Sequence, residues 1–131
     1  LYFFAAIDDY IGYESPVENP IGEWPKGRIM VKYAKAINFE TFQTCMLVGD
    51  EDEQLTENEL EIVFSECEDE AEGIKMLSND LPGNYPDHTN LLKLVSDSVS
   101  GLDFGSGRLD FVIKNSDLGF GNWKKTKAVL G

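Results

Sequence analysis

The sequence has a single histidine, His88, and two cysteines, Cys45 and Cys67. Their spacing matches no zinc-binding pattern, so neither a transition-metal site nor a metal-dependent fold is expected. No nucleophile or orienting residue can be paired with His88, which is expected at the surface, and no catalytic residue is assigned. Both cysteines stand among apolar neighbours, which favours buried thiols over a disulfide.

Other missing features bear on compartment and membrane. There is no Asn-x-Ser/Thr glycosylation site and no apolar run long enough to span a bilayer, so no membrane insertion is expected. Residues 1–7 are apolar, but they are too few, and lack preceding basic residues, to act as a secretory signal as they stand. Together with the few cysteines, these absences favour a reducing, intracellular setting.

Basic residues are scarce: 11 lysines and arginines face 24 acidic residues, for a formal net charge of −13. A field of this sign repels phosphate backbones, so direct nucleic-acid binding is not expected. Residues 36–107 carry 17 acids with only Lys75 and Lys93, whereas residues 108–131 carry five bases and two acids. The expected partner is therefore a basic protein surface or a cation.

Alternating apolar residues predict strands near residues 1–7, 28–37, 108–114 and 123–130. The clearest is 108–114, where Leu109, Phe111 and Ile113 point inward. The residues that alternate with them point outward, namely Arg108, Asp110, Val112 and Lys114. Lysines in the last of these ranges are typical of an edge strand.

Two helices are predicted at about residues 60–80 and 88–99, because apolar residues recur there at spacings of three and four. Thr56 with Glu59 forms a capping box before the first helix, and Asp87 can cap the second. A short strand through Leu60, Ile62 and Phe64 is the competing prediction for the start of the first helix.

These features predict a single globular domain, residues 1–131, with an α+β fold in which a small antiparallel sheet packs with two helices. The alternative is a mainly helical, degenerate EF-hand-like domain. Glu68, Glu70, Glu72 and Gly73 fit the first half of a calcium loop, but the bidentate glutamate that should follow is missing. No cofactor is therefore predicted, and calcium remains the one metal to test.

Twelve acidic residues fall within the 23 residues from 50 to 72. Complementary charge accelerates encounter and sets specificity between proteins. The predicted function is therefore a non-enzymatic protein–protein interaction module, an inhibitor or accessory subunit, that docks a basic partner surface. The predicted partner-binding residues are Asp50, Glu51, Asp52, Glu53, Glu68, Asp69, Glu70 and Glu72.

Two alternatives remain open. Aromatic residues in loops rich in glycine and proline suggest a small-ligand module for carbohydrate or calcium, because exposed rings stack on sugars. The candidate stacking residues are Tyr10, Tyr13, Trp24 and Trp123. A carboxylate-based hydrolase is the other alternative, since 24 acids provide many possible pairs.

Overall fold

The structure is a computed structural model that describes residues 1–5, 21–34, 63, 65–68, 72–96, 98, 104 and 107–131. Strands dominate this part of the chain. They are β1 (Tyr2–Ala5), β2 (Gly22–Glu23), β3 (Ile29–Lys32), β4 (Lys75–Ser78), β5 (His88–Val95), β6 (Arg108–Lys114) and β7 (Lys127–Leu130).

The strands form two antiparallel sheets. The larger sheet has five strands in the order β2-β7-β6-β5-β4, and the smaller pairs β1 with β3. β6 is the central strand, and its apolar alternation explains why it is buried: Leu109, Phe111 and Ile113 lie on one face with at most 1% exposure. Successive side chains of a strand point to opposite faces, so every second residue lies on the same face.

The apolar core lies between this face of the large sheet and the two-stranded β1–β3 sheet. Phe3 meets Phe111 edge-on, with ring centroids 5.2 Å apart, and Val31 joins the same buried cluster. Trp24 is also in the core, and its backbone N–H donates to the carbonyl of Ala128 at 2.9 Å. The β1–β3 sheet therefore buries one face and leaves the other outward.

Helical structure is limited to short pieces in the described residues. They are α1 (Asn115–Gly119) and a 3₁₀ turn at Trp123–Lys125. None of the helices in the part of the chain that is described has the length and apolar content needed to cross a membrane.

The predicted fold class is wrong. The described chain is mostly β-sheet, neither α+β with two helices nor mainly helical and EF-hand-like. Residues 88–95 of the second predicted helix form β5, and Asp87, its predicted cap, adopts a left-handed backbone with φ of 60°. The apolar spacing there is explained by burial on both sides of a strand, not by one face of a helix.

The first predicted helix, about 60–80, fails for a backbone reason in its described portion. Lys75–Ser78 form β4, and Gly73 has φ of 103°. That φ lies outside the helical region and suits glycine, which has no Cβ to clash. The competing strand at Leu60, Ile62 and Phe64, and the capping box at Thr56 and Glu59, lie outside the described residues.

Strands do occur within the four ranges predicted to contain them. β6 matches 108–114, β1 and β3 are shorter than predicted, and β7 begins only after the 3₁₀ turn at Trp123–Lys125. Cys67 is exposed and free, so its predicted burial is wrong, while Cys45 lies outside the described residues.

A β-bulge in β5 decides which side chains enter the core. The register passes from Asn90 opposite Val112 to Leu92 opposite Phe111, which leaves Leu91 as the extra residue. If β5 continued from Asn90 without the bulge, Lys93 would lie opposite Leu109 and would face the apolar core. The reason is that a shift of one residue exchanges the two faces of a strand. The pairing register between β4 and β5 is continuous through the bulge. Leu77, at the position opposite Leu91, has a left-handed backbone with φ of 55°.

Candidate functional site

The face of the large sheet that points away from the core is polar. Directly opposed residues on neighbouring strands share a face. The register therefore aligns two rows across the sheet on this polar face. The first row is Glu23, Val129, Asp110, Lys93 and Lys75, and the second is Lys127, Val112, Asn90 and Ser78.

An ion-pair network occupies the middle of the polar face. Asp80, in the loop after β4, accepts hydrogen bonds from Lys93 Nζ and Arg108 Nη1, both at 2.8 Å. Arg108 Nε donates to Asp110 Oδ2 at 2.9 Å. Since Lys93 and Asp110 are almost completely buried, their charges depend on these partners. These residues, with Asn90, are called the charged network below.

Asn90 connects the network to the backbone. Its Nδ2 donates to Asp110 Oδ1 and to the carbonyl of Asp80, the latter at 2.9 Å. Both Asp110 oxygens are thus engaged. Asn90 Oδ1 and Ser78 Oγ are buried without a hydrogen-bond partner, which costs free energy unless a small polar group reaches them.

The environment shifts the pKa values of the two network carboxyls in opposite directions. The hydrogen bond from Lys93, followed by that from Arg108, lowers the pKa of Asp80 below its usual 3.8, against the effect of burial. Burial raises the pKa of Asp110 above 3.8, and this outweighs the hydrogen bond from Asn90 and the charge of Arg108. The two pKa shifts differ in direction because Asp110 is fully buried, whereas the Asp80 side chain is partly exposed.

A second group of titratable side chains lies at the β2–β7 end of the polar face. Glu23 Oε2 accepts from Lys127 Nζ at 2.9 Å and from the Tyr85 hydroxyl at 3.1 Å, and these contacts, Lys127 first, lower the pKa of Glu23. The Tyr85 ring packs edge-on against His88, with centroids 5.4 Å apart. The loop between β4 and β5 is thereby held against the sheet by Asp80 at the middle of the polar face and by Tyr85 at its β2–β7 end.

The contacts of the charged network are those of a structural element. General acid or base catalysis needs a carboxyl oxygen that a substrate can reach. Asp110 is fully buried with both oxygens engaged, and Asp80 binds a cation with each oxygen. Within the described ranges no group of three or more His, Cys, Asp or Glu residues could hold a metal ion.

Only two of the eight predicted partner-binding residues can be placed. Glu68 and Glu72 are exposed, and the backbone carbonyl of Glu68 accepts a hydrogen bond from Lys75 Nζ at 3.2 Å. Glu66, which was not singled out from the sequence, is exposed beside them. The other six lie outside the described residues, and they are Asp50, Glu51, Asp52, Glu53, Asp69 and Glu70.

The candidate stacking aromatics do not form one surface in the described structure. Trp24 is 7% exposed inside the core, so its ring offers no face to a ligand. Trp123 is half-buried and packs against Tyr33, with ring centroids 6.0 Å apart. Tyr10 and Tyr13 lie outside the described residues.

Half of the acidic residues of the chain fall in one stretch of the sequence. Residues 50–72 contain 12 of the 24 acids and none of the 11 bases. Four ion pairs join described residues to one another, with Asp80, Asp110 and Glu23 as the acidic partners. The acidic excess is therefore concentrated in residues 50–72 of the sequence.

Sequence reasoning missed the charged network. Arg108 and Asp110 were predicted to point outward from β6, and they do lie on the face away from the core, but the middle of that face, around Asp110 and Lys93, is buried as well. The available signal was Lys93 within the apolar run Leu91–Val95, since a lysine there requires a partner if the run is buried. Comparisons with protein-family models, curated proteins and solved structures find no match for this chain.

Proposed function

We propose that the chain is a non-enzymatic protein–protein interaction module, an inhibitor or accessory subunit, that presents the acids of residues 50–72 to a basic partner surface. The observation that carries the proposal is the concentration of charge in the sequence. Residues 50–72 contain 12 of the 24 acidic residues and none of the 11 basic ones.

The ion pairs support the same proposal. Lys93, Arg108 and Lys127 pair with Asp80, Asp110 and Glu23, so these cations are committed to carboxylates outside residues 50–72. Glu66, Glu68 and Glu72, the described acids of that stretch, are exposed to solvent. Exposed carboxylates of one sign attract a cationic surface at long range and raise the association rate.

The test is a localised charge reversal with a matched control. One variant carries Asp50→Lys, Asp52→Lys, Glu68→Lys and Glu70→Lys, and the control carries Asp8→Lys, Asp9→Lys, Glu14→Lys and Glu18→Lys. Both raise the net charge equally. With an arginine-rich peptide and a set of folded basic domains as probes, we expect the first variant to bind about tenfold more weakly or worse, and the control to bind within about twofold of the parent.

The dependence on ionic strength completes the test. Binding through exposed carboxylates must weaken as salt rises, because the Debye length falls from about 10 Å at 0.1 M to about 3 Å at 1 M. Equal losses in the two variants would show that only the total charge matters and would overturn the proposal. Binding that is unaffected by both salt and the first variant would overturn it as well.

A further inference from the structure

The loop between β4 and β5, residues 79–87, lies across the polar face of the large sheet. Near its start, the Asp80 carboxylate contacts side chains of β5 and β6. Further along, the Tyr85 hydroxyl reaches Glu23 on β2, at the other end of the strand order β2-β7-β6-β5-β4. The loop therefore extends over the described sheet from the β4 side to the β2 side before it returns to β5, and it is called the strap below.

The first group of contacts holds the strap by the carboxylate of Asp80. Lys93 Nζ donates to one oxygen of this carboxylate and Arg108 Nη1 donates to the other, each at 2.8 Å. Asn90 Nδ2 donates to the backbone carbonyl of the same residue at 2.9 Å. Two of these three hydrogen bonds are charge-assisted, so most of their strength depends on an ionised carboxylate.

The second group of contacts holds the strap by the side chain of Tyr85. Its hydroxyl donates to Glu23 Oε2 at 3.1 Å, and Lys127 Nζ donates to the same oxygen at 2.9 Å. Lys127 Nζ also lies 5.9 Å from the centre of the Tyr85 ring, and His88 packs edge-on against that ring. Burial, and then the hydrogen bond to Glu23, raises the pKa of Tyr85 above its usual 10.0, so the hydroxyl remains a donor at neutral pH. This group is therefore also organised around one carboxylate.

Two residues near the ends of the strap have a left-handed backbone without being glycine. Leu77, shortly before the strap, has φ of 55°, and Asp87, its last residue, has φ of 60°. This conformation crowds the Cβ atom, so a residue keeps it where surrounding contacts impose it. Relaxation of the backbone at these two positions favours release of the strap once its side-chain contacts are lost.

We infer that the strap is released by acid while the sheet beneath it stays folded. The strap is closed as long as Asp80 and Glu23 are ionised, and it leaves the polar face when both carboxyls are protonated. Because the strap contains no residue of the stretch 50–72, this property is separate from the proposed docking of a basic partner.

The pKa shifts of three carboxyls support this order of events. The hydrogen bond from Lys93 lowers the pKa of Asp80 below 3.8, and the one from Lys127 lowers that of Glu23 below 4.5. Their contributions to the closed state are present above these usual values and are lost as pH falls through the lowered ones. Burial raises the pKa of Asp110 in β6 above 3.8, so its contribution is complete in acid and declines as pH rises. Acid therefore weakens the contacts of the strap but not the contribution of Asp110 to the central strand.

The first experiment follows the backbone order of the parent protein by ¹⁵N relaxation as pH is lowered. Order parameters are about 0.85 in rigid backbone and below about 0.6 in flexible backbone. We expect the amides of Asp80, Leu81 and Tyr85 to pass from above about 0.8 to below about 0.6 as pH falls from about 7 to about 2, while those of Leu109 and Phe111 stay above about 0.8. A strap that keeps its order throughout, or that loses it only together with β6, would overturn the inference.

The second experiment removes the two charges at neutral pH. Asp80→Asn with Glu23→Gln replaces both carboxylates by neutral amides of the same shape, so order parameters of the strap should fall below about 0.6 while those of β6 are unchanged. The control, Glu66→Gln with Glu72→Gln, removes the same charge at exposed positions and should stay within about 0.1 of the parent. Equal mobility in the two variants, or an ordered strap in the first, would contradict the assigned role of Asp80 and Glu23.

A milder variant decides the matter if thermal melting shows that the double variant is unfolded. Tyr85→Phe keeps the ring and removes the hydroxyl that donates to Glu23. With one group of contacts weakened, the midpoint of strap release should move to higher pH by at least about 0.3 unit, and β6 should remain ordered. A midpoint equal to that of the parent would mean that the contact between Tyr85 and Glu23 does not hold the strap, and it would overturn the inference.

Discussion

At the scale of single residues, Asp110 is the least ordinary feature of the fold. A fully buried carboxyl stands in the central strand of the sheet, with Arg108 and Asn90 engaging its two oxygens. Buried ion pairs seldom stabilise more than apolar residues of equal volume would, but loss of one partner leaves a buried charge uncompensated. Asp110 and Asp80 are expected to contribute to stability with opposite dependences on pH.

The sign follows from the two pKa values. The pKa of Asp110 is raised by burial, so the folded state retains its proton where the unfolded chain has lost it, and its contribution declines as pH rises above 3.8. The pKa of Asp80 is lowered by Lys93 and Arg108, so its contribution is present above 3.8 and is lost as pH falls through the lowered pKa.

Urea unfolding of the parent, Asp110→Asn and Asp80→Asn across acidic and neutral pH measures both contributions. Relative to the parent, the free energy of unfolding of Asp110→Asn should rise with pH above about 4, because the variant lacks the group whose contribution declines. Relative to the parent, the free energy of unfolding of Asp80→Asn should decrease as pH rises towards about 4, because only the parent gains the contribution of Asp80. Differences of the same sign in the two variants would contradict the assignment.

The sequence identified the face of β6 to which Arg108 and Asp110 belong, but not that the middle of this face is buried. Alternation assigns residues to two sides of a strand and says nothing about what covers each side. The cover here includes Asp80, whose carboxylate lies 13 residues from Lys93 and 28 from Arg108 in the chain. Only folding brings these three charges together.

At the scale of elements, β5 shows why helix and strand were confused. Apolar residues occur on both faces of this strand: Leu92 lies opposite Phe111 on the core face, Val95 lies opposite Arg108 on the polar face, and Leu91 is the extra residue of the bulge. Leu91 is fully buried, and Leu77 beside it on β4 is 62% exposed. Leu91 and Leu77 are therefore opposite each other on paired strands, but the first is buried and the second is mostly exposed to solvent.

This difference predicts unequal costs of truncation. Leu91→Ala should lower the free energy of unfolding by about 2–5 kcal/mol, because it removes buried methyl groups and leaves a cavity. Leu77→Ala, the matched control, should change it by less than about 0.5 kcal/mol, because the side chain is mostly in solvent. Chemical denaturation of both variants is the measurement, and equal costs would contradict the placement of the bulge.

At the scale of the whole molecule, the protection of amides from hydrogen exchange should decrease from the centre of the large sheet to the β1–β3 sheet. β6 has a strand on each side, whereas β1 and β3 form a two-stranded sheet of four residues each. Strands with few neighbours open locally more often than central ones. Amides of the β5–β6 ladder should therefore exchange with solvent at least about tenfold more slowly than those of β1 and β3.

Hydrogen exchange followed by mass spectrometry or NMR tests this gradation. The comparison uses amides of Leu109 and Phe111 against those of Phe3 and Val31, so that intrinsic rates can be corrected for neighbouring residues. If amides of β1 and β3 exchanged as slowly as those of β6, the two sheets would open as one unit, contrary to the prediction.

The sequence by itself determined the properties that depend on local pattern or on composition. It identified β6 from strict alternation, located strands within the ranges that contain β1, β3 and β7, and established the unequal charge of the chain, since counting requires no coordinates. Apolar spacing in residues 88–99 was compatible with a helix, and no local signal in that stretch excluded it.

The tertiary structure alone decided what depends on distant partners. Pairing with β4 and β6 makes residues 88–95 a strand, and the extra residue Leu91 keeps Lys93 opposite Asp110 instead of in the core. Burial of the polar face then makes the charged network necessary. The physical reason is that hydrogen-bond partners, strand register and burial are set by residues far apart in the chain, and a local pattern carries no information about them.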